Sequence, residues 1–144
     1  MLIDLTAIDD ILARYRVIAM VGLSPKEARP SNQVGRYLLK EGFRVIPVNP
    51  GHDAILGLRC YPDLASIPEP VEVVNLFRNA KEIPPLVEQA IRIKAKAVWM
   101  QIGIVHEAAA RQAVAAGLTV VMDRCIKIEH ERLRQASPGP RRIA

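Results

Sequence analysis

The stretch Gly22-Leu23-Ser24-Pro25-Lys26-Glu27-Ala28-Arg29-Pro30-Ser31-Asn32 gathers the residue types that hold a phosphate. It joins an apolar run, Val17 to Gly22, to a helical pattern carrying Val34, Tyr37 and Leu38. A helix N-terminus offers free N–H groups and about half a positive charge, so it favours an anion. Gly22 permits a tight turn; Ser24, Ser31 and Asn32 supply neutral donors, and Lys26 and Arg29 supply positive charge. Together they suit a pyrophosphate. The Gly-x-Gly-x-x-Gly pattern of dinucleotide sites is absent, because Ser24 stands where the second glycine would be, and this argues against NAD. The next apolar run ends Val48-Asn49-Pro50-Gly51-His52, with no acid before Asp53 to hold ribose hydroxyls. A neutral or basic end suits a ribose that carries a phosphate. NADP and coenzyme A both satisfy that condition.

Two further places have chemistry to offer. Phe77-Arg78 follows a third apolar run, where Arg78 can present a two-pronged fork to a phosphate and Phe77 a ring to flank adenine. Gln101-Ile102 closes a fourth, placing a polar side chain where a strand leaves its sheet. The remaining candidates lead elsewhere. His52, His106 and His130 show no metal-ligand spacing, and His130, between Glu129 and Glu131, suits a helix–helix contact. Cys60 and Cys125 lie far apart and outside any Cys-x-x-Cys spacing, so two free thiols are expected. There is no Ser-His-Asp arrangement and no paired carboxylate with a reason to shift its pKa. No catalytic residue and no metal site are therefore expected.

The elements that must position these residues alternate along the chain. Thr6-Ala7-Ile8-Asp9 reads as a capping box opening a helix with Ile8, Ile11, Leu12 and Tyr15 on one face. Strands are predicted over 17–22, 43–48, 71–77, 97–101 and 118–122. Helices are predicted from a Ser31 or Asn32 cap to Gly42, from Pro84-Pro85 through Ile91, over 105–116, and over 126–134. Residues 54–70 read as irregular, with one short strand and one helical turn. Five strand–helix alternations imply an α/β, doubly wound, Rossmann-like domain with a five-stranded parallel sheet, to which the segment around Gly57–Tyr61 could add a sixth strand. Ligands of such sheets bind at the carboxyl ends of the strands, near the switch point.

The 144 residues suffice for one domain, expected over 1–136, with a flexible basic tail over 137–144. Half the residues are hydrophobic and 24% are charged, the balance of a soluble globular protein. No run of 18 residues lacks charge, so no membrane segment is expected. Met1-Leu2-Ile3-Asp4 carries an acid where a signal peptide needs basic residues, which suggests a cytoplasmic location. The net charge is +5, and two of those charges, Arg141 and Arg142, fall in the tail. A mildly basic body with few aromatic residues suits a small anionic ligand better than nucleic acid.

An ordered set of segments carries a family resemblance. It comprises Val21–Pro25, Arg29–Asn32, Val45–Pro50, Leu76–Arg78, Val98–Gly103, and Asp123–Cys125 with Glu129–Leu133. The chain resembles the small, single-domain CoA-binding proteins related to the N-terminal domain of the succinyl-CoA synthetase α subunit. The resemblance implies a Rossmann-like fold that binds coenzyme A. It carries the synthetase's CoA loop onto Leu23, Ser24, Pro25 and Lys26, and its contacts after the fourth strand onto Gln101 and Ile102. The synthetase's basic residue after the second strand corresponds to His52, a departure that weakens the charge there. Its catalytic histidine belongs to a domain that this chain does not have. Cys125 falls on the ligand side, where a mixed disulfide with the CoA thiol is chemically open. The expected function is non-covalent binding of coenzyme A or an acyl-CoA, using Gly22, Leu23, Ser24, Pro25, Lys26, Arg29, Ser31, Asn32, Val48, Asn49, Pro50, Phe77, Arg78, Gln101 and Ile102. The alternative is a minimal NADP-binding oxidoreductase.

Overall fold

A computed structural model describes residues 5–136. The tail expected over 137–144 lies outside the described residues. The chain runs α1 (Leu5–Arg14), β1 (Val17–Val21), α2 (Pro30–Lys40), β2 (Arg44–Val48), β3 (Ala54–Ile55) and β4 (Leu58–Arg59). It continues through a 3-10 turn (Leu64–Ser66), β5 (Val73–Leu76), a second 3-10 turn (Ala80–Glu82) and α3 (Ile83–Arg92). It ends with β6 (Ala97–Met100), α4 (Glu107–Ala115), β7 (Thr119–Val121) and α5 (Ile126–Ala136).

The main sheet is parallel and has five strands in the order β2-β1-β5-β6-β7. The chain first moves outward from β1 to β2 and then crosses back to β5 on the other side. The carboxyl ends of β1 and β5 therefore flank the switch point, where a doubly wound sheet opens a crevice. The strands are apolar because both faces are covered. Val21, Val48, Val74 and Leu76 pack with Ile83, Val87 and Ala110 of α3 and α4. Met20, Val73 and Trp99 pack on the other face with Ile8, Leu12, Val34, Leu38 and Ile126 of α1, α2 and α5. Trp99 is completely buried, and its indole N–H donates to the carbonyl of Arg124 at 2.8 Å. Burying each large side chain of this kind contributes about 1.5–3 kcal/mol.

Three local expectations are corrected. Thr6 is not an N-cap, because α1 already begins at Leu5. Neither Ser31 nor Asn32 caps α2: Arg29, with extended backbone, precedes the helix, and Pro30 holds its first position. Proline suits that position because its missing N–H would have no partner there anyway. The segment around Gly57–Tyr61 does not add a sixth strand. Ala54–Ile55 and Leu58–Arg59 instead form a separate antiparallel pair, and only Tyr61 bridges Val48. Pro47 explains why. Its carbonyl faces outward and accepts from Tyr61 N at 3.0 Å, but on that side it has no N–H to offer in return.

Helix α5 is locked to α2 through His130, the helix–helix contact that its sequence setting suggested. The Tyr37 hydroxyl lies 2.7 Å from Nδ1 of His130, and the rings of Tyr37 and Phe43 meet the imidazole edge to face. Burial holds the His130 pKa below its ordinary value, with Arg134 and Arg16 acting in the same direction and Glu41 and Glu131 opposing. The unfolded chain then takes up a proton before the folded one does. Stability should be full above pH 6.5 and fall as the pH drops from there to the lowered folded pKa. His130→Phe should flatten this slope in thermal melts between pH 7.5 and 5. An unchanged slope would assign it to other groups.

Candidate functional site

The loop after β1 is built by its own following helix. The Ser31 hydroxyl accepts from Ser24 N at 3.0 Å, and the Asn32 side-chain amide donates to Ser24 O at 2.8 Å. Asn32 is held in turn by Arg36 Nε at 2.8 Å, while the Arg36 guanidinium also donates to Glu27 O at 2.9 Å. Asn49, just past β2, donates to Leu23 O at 2.9 Å. Ser31, Asn32 and Leu23 are buried. Their side chains thus fix the shape of the loop, and the serine and asparagine chemistry read from the sequence is directed at its backbone.

This scaffold leaves the start of α2 without a side-chain cap. It opens onto a pocket of about 210 Å³ lined by Gly22, Ser24, Arg29, Pro30, Ser31 and Phe77. Gly22 has φ +90°, and a Cβ there would overlap the Phe77 carbonyl oxygen. The two strand ends therefore meet more closely than any residue but glycine allows.

A second, larger cleft of about 400 Å³ lies on the other face of the same strand ends. Consecutive residues of a strand point to opposite faces. Gly22 and Phe77 accordingly line the smaller pocket, whereas their neighbours Val21 and Arg78 line the larger cleft. Val48 and Pro50 add the end of β2, and Leu86 and Gln89 add the first turns of α3. The rim carries Arg78 and Lys81 together with Asp63 and Glu82. One Asp63 oxygen is already taken, accepting from Ser66 N at 2.9 Å and Ser66 Oγ at 2.7 Å.

The residues expected from the sequence thus separate into groups. Gly22, Ser24, Arg29, Ser31 and Phe77 surround the helix start, and Val48, Pro50 and Arg78 share the larger cleft. Leu23, Asn32 and Asn49 lie beneath the loop as supports. Pro25 and Lys26 sit on its exposed bend, outside the linings of both pockets. Gln101 is buried and donates to Asn75 Oδ1 at 2.6 Å, while Ile102 is 62% exposed at the end of β6. The Asp63, Lys81 and Gln89 contributions were not anticipated, because they come from separate segments with no common spacing. Asp63 and Lys81 leave no pattern in the sequence, and Gln89 is signalled only by the stripe Glu82, Pro85, Leu86 and Gln89 along one face of the α3 region.

Cys60 is buried, and burial pushes its thiol pKa up, away from reactivity. Cys125 is a partly buried free thiol at the start of α5. His106 precedes α4, and its Nδ1 accepts from Ala109 N at 3.1 Å, as a helix cap does. No cluster of three or more His, Cys, Asp or Glu is placed to hold a metal ion among the described residues. Nor is any described helix long and apolar enough to cross a membrane.

Residues 16–131 match the family model of the CoA binding domain. The chain belongs to that family. It is 38% identical over 123 residues to YneT of Bacillus subtilis (strain 168), covering 85% of this chain and 91% of that protein. It is also 36% identical over 77 residues to the ADP-forming acetate–CoA ligase I of Archaeoglobus fulgidus, matching 54% of this chain but 11% of the ligase. Among solved structures, a hypothetical protein from Pyrococcus horikoshii OT3 superposes with a TM-score of 0.88 at 46% identity, over 91% of this chain and 92% of that one. The resemblance drawn from the ordered segments therefore holds, as does the Rossmann-like fold with its five-stranded parallel sheet.

Proposed function

We propose that this protein binds coenzyme A, free or acylated, at the carboxyl edge of its sheet, with no covalent chemistry of its own. One observation carries the reading. An uncapped helix start and a cleft whose rim presents Arg78 and Lys81 beside Asp63 and Glu82 lie on the two sides of the same strand ends, which meet at Gly22 and Phe77. Coenzyme A has a matching charge distribution, a pyrophosphate and a separate ribose phosphate that together carry about −4. The pyrophosphate takes the α2 start, where free N–H groups and the helix dipole favour it and Arg29 stands alongside. The adenosine end takes the larger cleft, with its ribose phosphate against Arg78 and Lys81. These two cations do the work that the family pattern gives to a basic residue after β2, where this chain has His52. The pantetheine arm leaves across the ends of β5 and β6, toward Ile102.

Calorimetric titration with CoA and with dephospho-CoA tests this reading. Arg78→Ala should weaken CoA binding by about 1–3 kcal/mol, the worth of one hydrogen bond to a charged group. Dephospho-CoA, which lacks the ribose phosphate, should bind the variant and the wild type alike. Negligible heats with both ligands would reject the proposal. Saturable binding of NADPH but not of CoA would favour a dinucleotide in the same two pockets.

A further inference from the structure

The hairpin formed by β3 and β4 holds a residue in a conformation that its side chain resists. The turn is Leu56-Gly57, with φ +57° at Leu56 and +74° at Gly57. Positive φ at both central residues is what a two-residue type I′ turn needs, and Asn-Gly is the pair that meets it most easily. A leucine in the first place is an outlier, and such a residue persists only where its surroundings over-determine it. Here the surroundings form a seat. Leu56 is half-buried and packs against the cluster that contains Met20, Leu23 and Val34. Gly35 of α2 forms the floor: a Cβ there would lie 3.1 Å from Cδ1 of Leu56 and 3.3 Å from Cδ1 of Leu23. A glycine inside a helix is less stable than alanine, and this one leaves room for both leucines.

The base of the hairpin reaches the same loop by another route. Asn49 N donates to Tyr61 O at 2.9 Å, and Cys60 Sγ donates to Asn49 O at 3.4 Å. The Asn49 side chain in turn donates to Leu23 O at 2.9 Å. Leu23 is thus tied through its carbonyl to the hairpin's base, while its side chain shares the space over Gly35 with the hairpin's tip, and it is completely buried. The next residue is Ser24, whose N–H and carbonyl are held by Ser31 and Asn32 at the start of α2. We infer that the hairpin is a clamp on the loop that receives the ligand's pyrophosphate, and that Leu56 is a positioning residue, holding that loop in one arrangement from behind. This rests on the CoA reading and deepens it, because it names what presets the site before a ligand arrives. Presetting raises affinity by moving the ordering of the loop from the binding step to folding. It also gives the resisted conformation of Leu56 a use, since an asparagine in its place would relax the turn and leave the seat empty.

The test compares the wild type, Leu56→Asn and Leu56→Met by calorimetric titration with CoA, by urea unfolding, and by amide hydrogen exchange of the free proteins. Leu56→Asn gives the turn its preferred residue, so the hairpin still forms, but it removes the side chain that fills the seat. Leu56→Met keeps the volume and the reach. Leu56→Asn should bind CoA about tenfold more weakly while its urea midpoint stays close to the wild type, because relief in the turn offsets the lost contact. Leu56→Met should bind within about twofold of the wild type. Exchange at Ser24 N, which the Ser31 hydroxyl holds, should quicken in Leu56→Asn before any ligand is added. If Leu56→Asn binds CoA as the wild type does, or leaves exchange at Ser24 N unchanged, the clamp is overturned and the CoA reading stands. An equal loss of affinity in Leu56→Met would trace the effect to the turn rather than the seat, and overturn it as well. If the wild type binds no CoA, the CoA reading itself falls and the clamp's role falls with it.

Discussion

Gly22→Ala is expected to destabilise the protein by about 3–5 kcal/mol, and Gly51→Ala by about 1 kcal/mol, although both replace a glycine at the end of a strand. Both have a positive φ of nearly the same size, +90° at Gly22 and +87° at Gly51. The conformational cost of a side chain in the left-handed region is therefore common to both. It is partly offset because alanine also restricts the unfolded chain. What differs is space. A Cβ at Gly51 meets nothing within 4 Å, whereas one at Gly22 overlaps the Phe77 carbonyl oxygen and lies 3.1 Å from its carbon. The obstacle is backbone in the central strand connection, and Phe77 N is itself bonded to Val21 O at 2.8 Å, so the clash has no cheap relief. Urea midpoints of the two variants measure the difference directly. Equal costs would mean that the β1 and β5 ends can separate freely. On the proposed function, Gly22→Ala should also weaken CoA binding beyond its stability loss, because moving Phe77 shifts Arg78 with it and disturbs both pockets at once.

Why the fold could be read from the chain, and the site only in part, follows from particular residues. The apolar runs around Val17–Val21, Val73–Leu76 and Ala97–Met100 stand out because both faces of those strands are covered and nothing polar is needed within most of each run. Asn75 is the exception, and its buried bond to Gln101 shows why a polar residue in such a strand is no guide to exposure. Two-residue strands such as Ala54–Ile55 carry no periodicity, so the hairpin has no signature beyond the turn at Gly57. At the site, residue type indicated place but not role. A serine or asparagine beside a helix start suits a phosphate and suits a loop carbonyl or amide equally, and here Ser31 and Asn32 hold Ser24. The larger cleft was hidden for a different reason. Pro62, Lys81 and Gln89 converge only through the tertiary fold, and Gln89 in sequence is one more polar residue on an amphipathic helix.

Past β7, a charge network centred on Glu129 should respond to substitution asymmetrically. Glu129 of α5 is buried, with its side chain 7% exposed, and it pairs with Arg124 at 3.2 Å and Arg132 at 3.1 Å. Arg132 also pairs with Asp9 of α1, at 2.6 Å. The arginines are 36% and 38% exposed and Asp9 is 39% exposed, so each of these can recover water when its partner is removed. Glu129 cannot. The double variant Arg124→Met, Arg132→Met should therefore lose about 3–5 kcal/mol, the cost of an uncompensated buried charge. Glu129→Met alone should lose less, about 1–2 kcal/mol, because it strands only groups that reach solvent. Adding Glu129→Met to the arginine pair should then restore most of the loss, since three apolar side chains of similar volume replace an ion cluster that attraction alone does not make favourable. The three variants, compared by denaturant unfolding, decide between a network that stabilises and one that merely satisfies its buried acid. A triple variant no more stable than the double would show that attraction within the cluster outweighs its desolvation cost. Recovery would mean that the acid is there to direct its arginines. The one on the ligand side is Arg124, whose carbonyl is held by Trp99 and whose N–H is bonded to Met100 O at 3.3 Å, so the network fixes a cation beside the strand ends over which the ligand would lie.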